Sequence, residues 1–267
     1  MILASPLPWT LPASLLAMLS YALPALAPTR WSDQGARRLL WLAWLAHALS
    51  LLGMLLGPVR FGFAPALSVT AWLVVTAYGI ERQFFPQLKA RWLMGSMGAL
   101  AVLLAMVFPG TALDVHVSPW LPLHWALGLS AYGMFAVAVA HAWMMTRTEH
   151  EIRQAQEGGS GLPLLTLERL TFRFVAAGFV LLTATLLAGL LFGEHLYGTA
   201  NASWRWDHKR VFALLSWLTF ALLLIGRRQW GWRGRRAVRV LYTGAALLLL
   251  SYAGSRFVME VLLGRAA

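Results

Sequence analysis

Trp204-Arg205-Trp206-Asp207-His208 puts two indoles, a guanidinium, a carboxylate and an imidazole in consecutive positions between two long apolar stretches. Flat aromatic faces beside a metal-capable nitrogen could seat a planar, iron-containing ligand such as heme. A second imidazole, His124, opens another apolar stretch. Heme iron commonly takes axial histidines, and two from facing helices can clamp it from both sides; the neutral imidazole is the form that binds metal. Trp204 and Trp206 would lie against the ring. Arg60, Arg205, Lys209, Arg210 and Arg256 could pair with its propionates. The same residues also describe an aromatic belt, since Trp and Tyr collect where lipid meets water. In that reading Asp207 caps the following helix, where a carboxylate satisfies free amides, and His208 is simply hydrated. Residue types alone leave both readings open.

The other histidines are weaker candidates. His47 falls deep inside an apolar stretch, where an ionisable residue needs a partner; a neutral ring bonded to a backbone carbonyl is the favoured expectation. His141 reads as interfacial, His150 as a solvated loop residue, and His116 and His195 as loop residues able to assist a site or to do nothing. No paired carboxylates fall within an apolar stretch, and no nucleophile–histidine–acid triad or phosphate loop is legible, so no enzyme is expected. Glu168-Arg169 with Arg173 reads as a charged helix end, and Asp114 and Glu194 as loop acids without a motif. Proton-coupled transport needs buried acids or matched broken helices. Glu260 is the one acid read near a span interior, which leaves a transporter little support.

The elements that must position these residues follow from composition. The chain has 267 residues, 59% of them hydrophobic and only 12% charged, about half the charge of an ordinary soluble domain. Apolar runs near the length needed to cross about 30 Å of hydrocarbon recur throughout. Eight spans are predicted, over roughly 7–28, 38–56, 64–80, 92–109, 122–145, 170–192, 209–226 and 237–262. The expected fold is therefore all-α: a polytopic transmembrane helix bundle in one integral membrane domain over 1–267. Gly95, Gly98, Gly128, Ala131, Gly178 and Gly189 offer close helix packing, which any bundle needs. There is no cysteine, which excludes disulfides, thiolate metal sites and heme attachment to the chain's own thiols.

The net charge of +12 is not a nucleic-acid signal here, because the basic residues crowd the connections. Ala25-Leu26-Ala27 resembles a cleavage site, but no basic residue precedes Arg30, where a signal peptide would carry its positive charge. Residues 7–28 are read as a retained first span with the N-terminus outside. Sixteen of the 22 Lys and Arg residues then fall on inner connections: Arg30, Arg37, Arg38; Arg82, Lys89, Arg91; Arg147, Arg153, Arg169, Arg173; and Arg227, Arg228, Arg233, Arg235, Arg236, Arg239. That excess places both termini on the outer, periplasmic side. The inner connection 146–168 reads as a helical extension followed by a flexible Gly158-Gly159-Ser160-Gly161 hinge. The outer connections near 110–121 and 193–208 feed the spans that carry His124 and His208.

These motifs together resemble the cytochrome c assembly membrane proteins of the CcsA and CcmC type, and most of all the small HemX- and YpjD-type inner-membrane branch. The resemblance is clearest over 120–260. It is carried by Leu123-His124 with Ser130-Ala131-Tyr132, by Leu167-Glu168-Arg169-Leu170 with Phe172-Arg173, and by Gly178-Phe179. Trp206-Asp207-His208-Lys209, Leu215-Ser216-Trp217-Leu218 with Phe220, and Gly231-Trp232-Arg233-Gly234-Arg235-Arg236 complete it, in matching order and spacing. It implies a multi-pass protein of a bacterial inner membrane that binds heme non-covalently at the periplasmic face, with cytochrome c maturation proteins as partners. The upstream outer histidine of that family falls on His124, and the tryptophan-rich segment on Trp204-Arg205-Trp206-Asp207 in reduced form. The second outer histidine has no counterpart in 253–267, and the intramembrane histidines fall on Ile225 and near Phe63. His208, by its position, is our candidate for the missing axial ligand beside His124. The alternative is a membrane interaction or regulatory protein that keeps the fold without heme transfer.

Overall fold

A backbone amide left unpaired in hydrocarbon costs several kcal/mol, so apolar runs of this length close their hydrogen bonds internally as helices. The computed structural model describes residues 7–56, 60–88, 90–112, 120–154, 163–192 and 208–262. It contains α1 (Thr10–Leu26), α2 (Asp33–Leu56), α3 (Phe63–Phe84) and α4 (Arg91–Val107). These are followed by α5 (Leu121–Arg153), α6 (Leu164–Leu191), α7 (His208–Trp230) and α8 (Gly234–Leu249). A two-residue antiparallel pair, β1 (Arg60–Phe61) and β2 (Thr111–Ala112), sets Arg60 opposite Ala112. Beyond α8 the helix widens into π-helical turns at Leu250–Gly254 and Val258–Leu262, either side of Ser255–Phe257.

Each expected span has its helix. Among the described residues six are long and apolar enough to cross a membrane: α2, α3, α5, α6, α7 and α8 with its extension; α1 and α4 are apolar but shorter, at 17 residues each. Leucines on one face of a helix remain exposed, as Leu11, Leu15, Leu19 and Leu23 do on α1 and Leu214, Leu218, Leu222 and Ile225 on α7. Lipid covers such stripes without penalty, whereas water would not.

The described residues form two units, one of α1–α4 with the β pair and the segment from Arg256, the other of α5–α8. In the first, adjacent helices run antiparallel. Tyr21 of α1 is fully buried and lies against α4, where a Cβ added to Gly98 would come within 2.9 Å of its ring. Ser14 of α1 and Ser50 of α2 share a hydrogen bond of 2.6 Å. Trp44 of α2 stacks on Trp72 of α3 with centroids 5.4 Å apart, and its Nε1 donates to Thr76 at 2.8 Å.

The expectation for His47 is corrected here. Its partner is not a backbone carbonyl: Nε2 hydrogen-bonds Ser68 Oγ on α3 at 2.8 Å, and Nδ1 lies 3.5 Å from the Tyr21 hydroxyl. Hydroxyls on the two neighbouring helices lie within reach of the two ring nitrogens, so the buried ring is satisfied side chain to side chain.

The second unit is also an antiparallel bundle. Phe135 of α5 stacks face to face on Phe220 of α7, centroids 3.7 Å apart. Ser216 Oγ donates to the Gly244 carbonyl of α8 at 2.9 Å, and Trp217 Nε1 donates to Thr183 of α6 at 2.8 Å. At one end of this unit Glu168 of α6 accepts from Arg227 of α7 and lies 3.6 Å from Arg233. The guanidinium of Arg227 also covers the Phe172 ring, 4.4 Å from its centroid. Between α7 and α8 the chain reverses within Gly231–Arg233. Gly231 (φ +61) and Gly234 (φ +55) take the left-handed conformation that glycine adopts without a Cβ penalty. Trp232 N–H donates to the Gly226 carbonyl at 3.1 Å.

Candidate functional site

α5 begins with Pro122 in its first turn, where the missing amide hydrogen costs nothing. That start puts His124 on the first turn, and its amide donates to the Trp120 carbonyl at 3.1 Å. The His124 ring is half-buried. It crosses onto the last turns of α6, where a Cβ added to Gly189 would stand 3.6 Å from its Cε1. The small residue at Gly189 lets the imidazole lie over α6, with space for a methyl group but no more, while part of the ring stays open.

α7 begins at His208, which is exposed on its first turn. The next residue, Lys209, sets its ammonium 5.7 Å from the centroid of the Tyr252 ring. Tyr252 lies in the π-helical turn Leu250–Gly254. Such turns free a carbonyl from the regular ladder, and here the Leu248 carbonyl accepts from Tyr132 of α5 and, at 2.8 Å, from Ser251. Tyr132 also lies 3.1 Å from Ser251 Oγ, so α5 fixes the turn that carries Tyr252.

The antiparallel order therefore brings the start of α5, the end of α6, the start of α7 and the end of α8 to one end of this unit. His124 and His208 share that end, one half-buried and one exposed, with Lys209 and Arg210 on the same turn as His208. Trp204, Arg205, Trp206 and Asp207, together with His116 and His195, lie outside the described residues. Arg60 and Arg256 belong to the other unit. Among the described residues no three His, Asp or Glu side chains converge as a metal cluster. A porphyrin iron needs no such cluster, because its ring supplies four nitrogens and the protein only axial ligands. A half-buried imidazole lying over Gly189, at the end of the unit where Lys209 and Arg210 also lie, fits that requirement.

The remaining positions sort differently. His141 is buried, 2% exposed, with its ring 5.5 Å from Phe174 of α6, rather than lying at an interface. His150 is exposed as expected but sits on the last turn of α5, not in a loop. Phe63 is buried and packs on Phe108 and Phe257 at 5.2 and 5.3 Å. Ile225 is half-exposed on α7. Neither of these two positions can ligate a metal. Sequence reasoning missed three polar positions. Glu168 lies near the charged start of α6 as expected, but it is also an ion-pair centre whose side chain is only 12% exposed. Glu81 is buried within α3, which runs four residues past its expected end. Tyr132, noted only as part of a motif, ties α5 to α8. Basic residues on the next span at the same depth were the available signal for Glu168.

The family described as Cytochrome C assembly protein matches residues 36–263. Inner membrane protein YpjD of Escherichia coli (strain K12) is 30% identical over 150 residues, 55% of each chain. The match thus spans about half the length of that relative. Cytochrome c biogenesis protein CcsA of Synechococcus elongatus is 27% identical over 270 residues, covering 90% of this chain and 82% of the relative. CcsA of Prochlorococcus marinus (strain MIT 9215) is 25% identical over 205 residues, covering 72% and 62%. No solved structure matches.

Proposed function

The chain belongs to the cytochrome c assembly protein family, and from that premise we propose that it binds heme non-covalently at the periplasmic face of a bacterial inner membrane and serves cytochrome c biogenesis. The observation that carries this reading is the seating of His124 against Gly189, at the end of the α5–α8 unit that His208 also occupies. His124 is the proposed first axial ligand and His208 the second. Trp204 and Trp206 would offer stacking surface, and Asp207 would cap α7. Lys209 and Arg210 are suited to propionates. Bound heme would supply the iron porphyrin that partner maturation proteins join to an apocytochrome. This chain's own residues bind, orient and release it, without catalysing a bond.

The chain is read as one domain of eight spans. The six long helices cross with ease, and 17 residues, the length of α1 and α4, stands at the short end of spanning lengths. The excess of Lys and Arg on alternate connections supports two outer termini. Phe63 and Ile225 replace the intramembrane histidines that the resemblance expects. This favours capture and presentation at the outer face over a complete ligand path across the bilayer. Loss of heme handling with retention of the fold is the alternative, which leaves an interaction or regulatory protein.

An absorption spectrum of the detergent-purified protein from heme-replete cells, oxidised and then reduced, tests the reading. A Soret band with sharp reduced bands, diminished in His124→Ala and lost in His124→Ala/His208→Ala, is expected. Unchanged occupancy in the double variant removes the ligand pair. A protein with no Soret band even after added heme leaves the interaction reading.

A further inference from the structure

At the end of the α5–α8 unit opposite His124 lies a groove of about 400 Å³, lined by Trp143, Arg147, His150, Arg153, Arg235 and Tyr242. None of these residues belongs to the proposed heme seat. The Arg147 guanidinium lies over the Trp143 ring, 5.5 Å from its centroid. Arg147 pairs with Glu151 at 2.8 Å and Arg153 with Glu149 at 3.3 Å, each within a single helix, with the arginines half-exposed. Such pairs hold weakly, so a stronger anion can take both guanidiniums. Arg235 enters the same groove from the exposed first turn of α8.

Depth decides what kind of anion. At 1.5 Å per residue, Trp143 stands about 33 Å along α5 from Leu121, and Arg147 about 39 Å. The hydrocarbon core is about 30 Å thick, and the headgroup layers extend it to about 40–45 Å. With Leu121 at the outer surface of the bilayer and α5 along its normal, Trp143 reaches the inner edge of the hydrocarbon and Arg147 the phosphates. Tyr242, about 10 Å along α8 from Arg235, turns back toward the acyl chains. We propose that this groove binds the headgroup of an anionic phospholipid, with Arg147, Arg153 and Arg235 facing its phosphate and Trp143 and Tyr242 beside its glycerol and upper chains. Guanidinium forks match phosphate oxygens, and basic pockets between transmembrane helices take acidic headgroups.

The test uses the full chain in phosphatidylcholine vesicles, with spin-labelled phosphatidylglycerol or spin-labelled phosphatidylcholine as the probe. The native protein should prefer the anionic label roughly fivefold, the effect of about one effective cation at the surface. Arg147→Gln/Arg153→Gln/Arg235→Gln should reduce that preference to within about twofold of none. Arg228→Gln, which removes an exposed arginine outside the groove, should leave it unchanged. If the triple variant does not fold, Arg235→Glu replaces it, since an acid on a first helical turn favours the helix, and the same loss is expected. A preference retained in the groove variants, or equally lost in Arg228→Gln, overturns the proposal. Displacement of the label by millimolar inorganic phosphate reassigns the groove to a soluble phosphate and overturns the lipid reading as well.

Discussion

Enlarging Gly189 in two steps, to alanine and then to valine, measures how tightly α6 seats the His124 ring. In Gly189→Ala the new Cβ stands 3.6 Å from His124 Cε1, an ordinary van der Waals contact. Alanine also improves helix propensity by up to about 1 kcal/mol, so this variant should fold as well as the native protein and keep its heme affinity. Gly189→Val adds two γ-carbons, each about 1.5 Å beyond Cβ, and in a helix they are held almost entirely in one rotamer. A γ-carbon directed at the ring would stand roughly 2 Å from Cε1, far inside contact distance. The imidazole must then swing away or α6 must shift. Overpacking of this kind costs about 1–3 kcal/mol. Strain borne by the ligand would weaken heme binding roughly five- to 150-fold. Titration of heme into the detergent-purified protein, followed at the Soret band with circular dichroism to verify folding, measures the series. Affinity should hold in the Ala variant and fall in the Val variant toward that of His124→Ala. Native affinity in a folded Gly189→Val protein would refute the seating argument. An Ala variant as weak as the Val variant would refute it too, because a general packing defect would then explain both.

Two further outcomes test the scaffold. Glu168→Gln and Arg227→Met each remove one side of a partly buried ion pair, with side chains 12% and 26% exposed, and each should cost about 1–3 kcal/mol, between surface and buried pairs. The double variant should cost less than the sum by at least about 0.5 kcal/mol, read from unfolding in mixed sodium dodecyl sulfate micelles; strict additivity would show two independently solvated ends. Ser68→Ala leaves His47 Nε2 in a fully buried site without its 2.8 Å partner and should cost about 1–3 kcal/mol in the same titration, whereas an unchanged midpoint would mean that a replacement partner moves in.

The architecture was legible because hydrocarbon imposes one rule on every apolar run, and each of the eight predicted stretches contains a helix. Connections were read less well, for the same reason. The helical extension expected beyond residue 145 is there, since α5 continues through Arg147 and Arg153; but polar residues adjoining an apolar run look like loop in a hydropathy reading, and α3 carries Glu81 inward past its expected end. The alternation of spans also foretold that His124 and His208 share an end. The pairing of side chains did not show in the sequence. His47 finds Ser68 on the neighbouring helix, Tyr132 finds Leu248 on a distant one, and Glu168 finds Arg227 59 residues away. These depend on helix rotation and depth, which a single strand of letters does not contain. The tryptophan segment lies outside the described residues, so the proposed site is argued from His124 and the glycine it lies against.

The short reversal at Gly231 and Gly234 has a consequence for how the chain is made. With so few residues between α7 and α8, the two helices leave the ribosome almost as one hairpin and can enter the bilayer together. Arg227, Arg228, Arg233, Arg235 and Arg236 crowd its tip. Carrying them through the hydrocarbon would cost about 2.5–3.5 kcal/mol apiece on insertion scales, more than ten in all. A cost of that size disfavours the hairpin with its tip in hydrocarbon by many powers of ten. The last pair of helices therefore carries its own orientation signal, to which upstream helices that enter wrongly would be drawn to adjust.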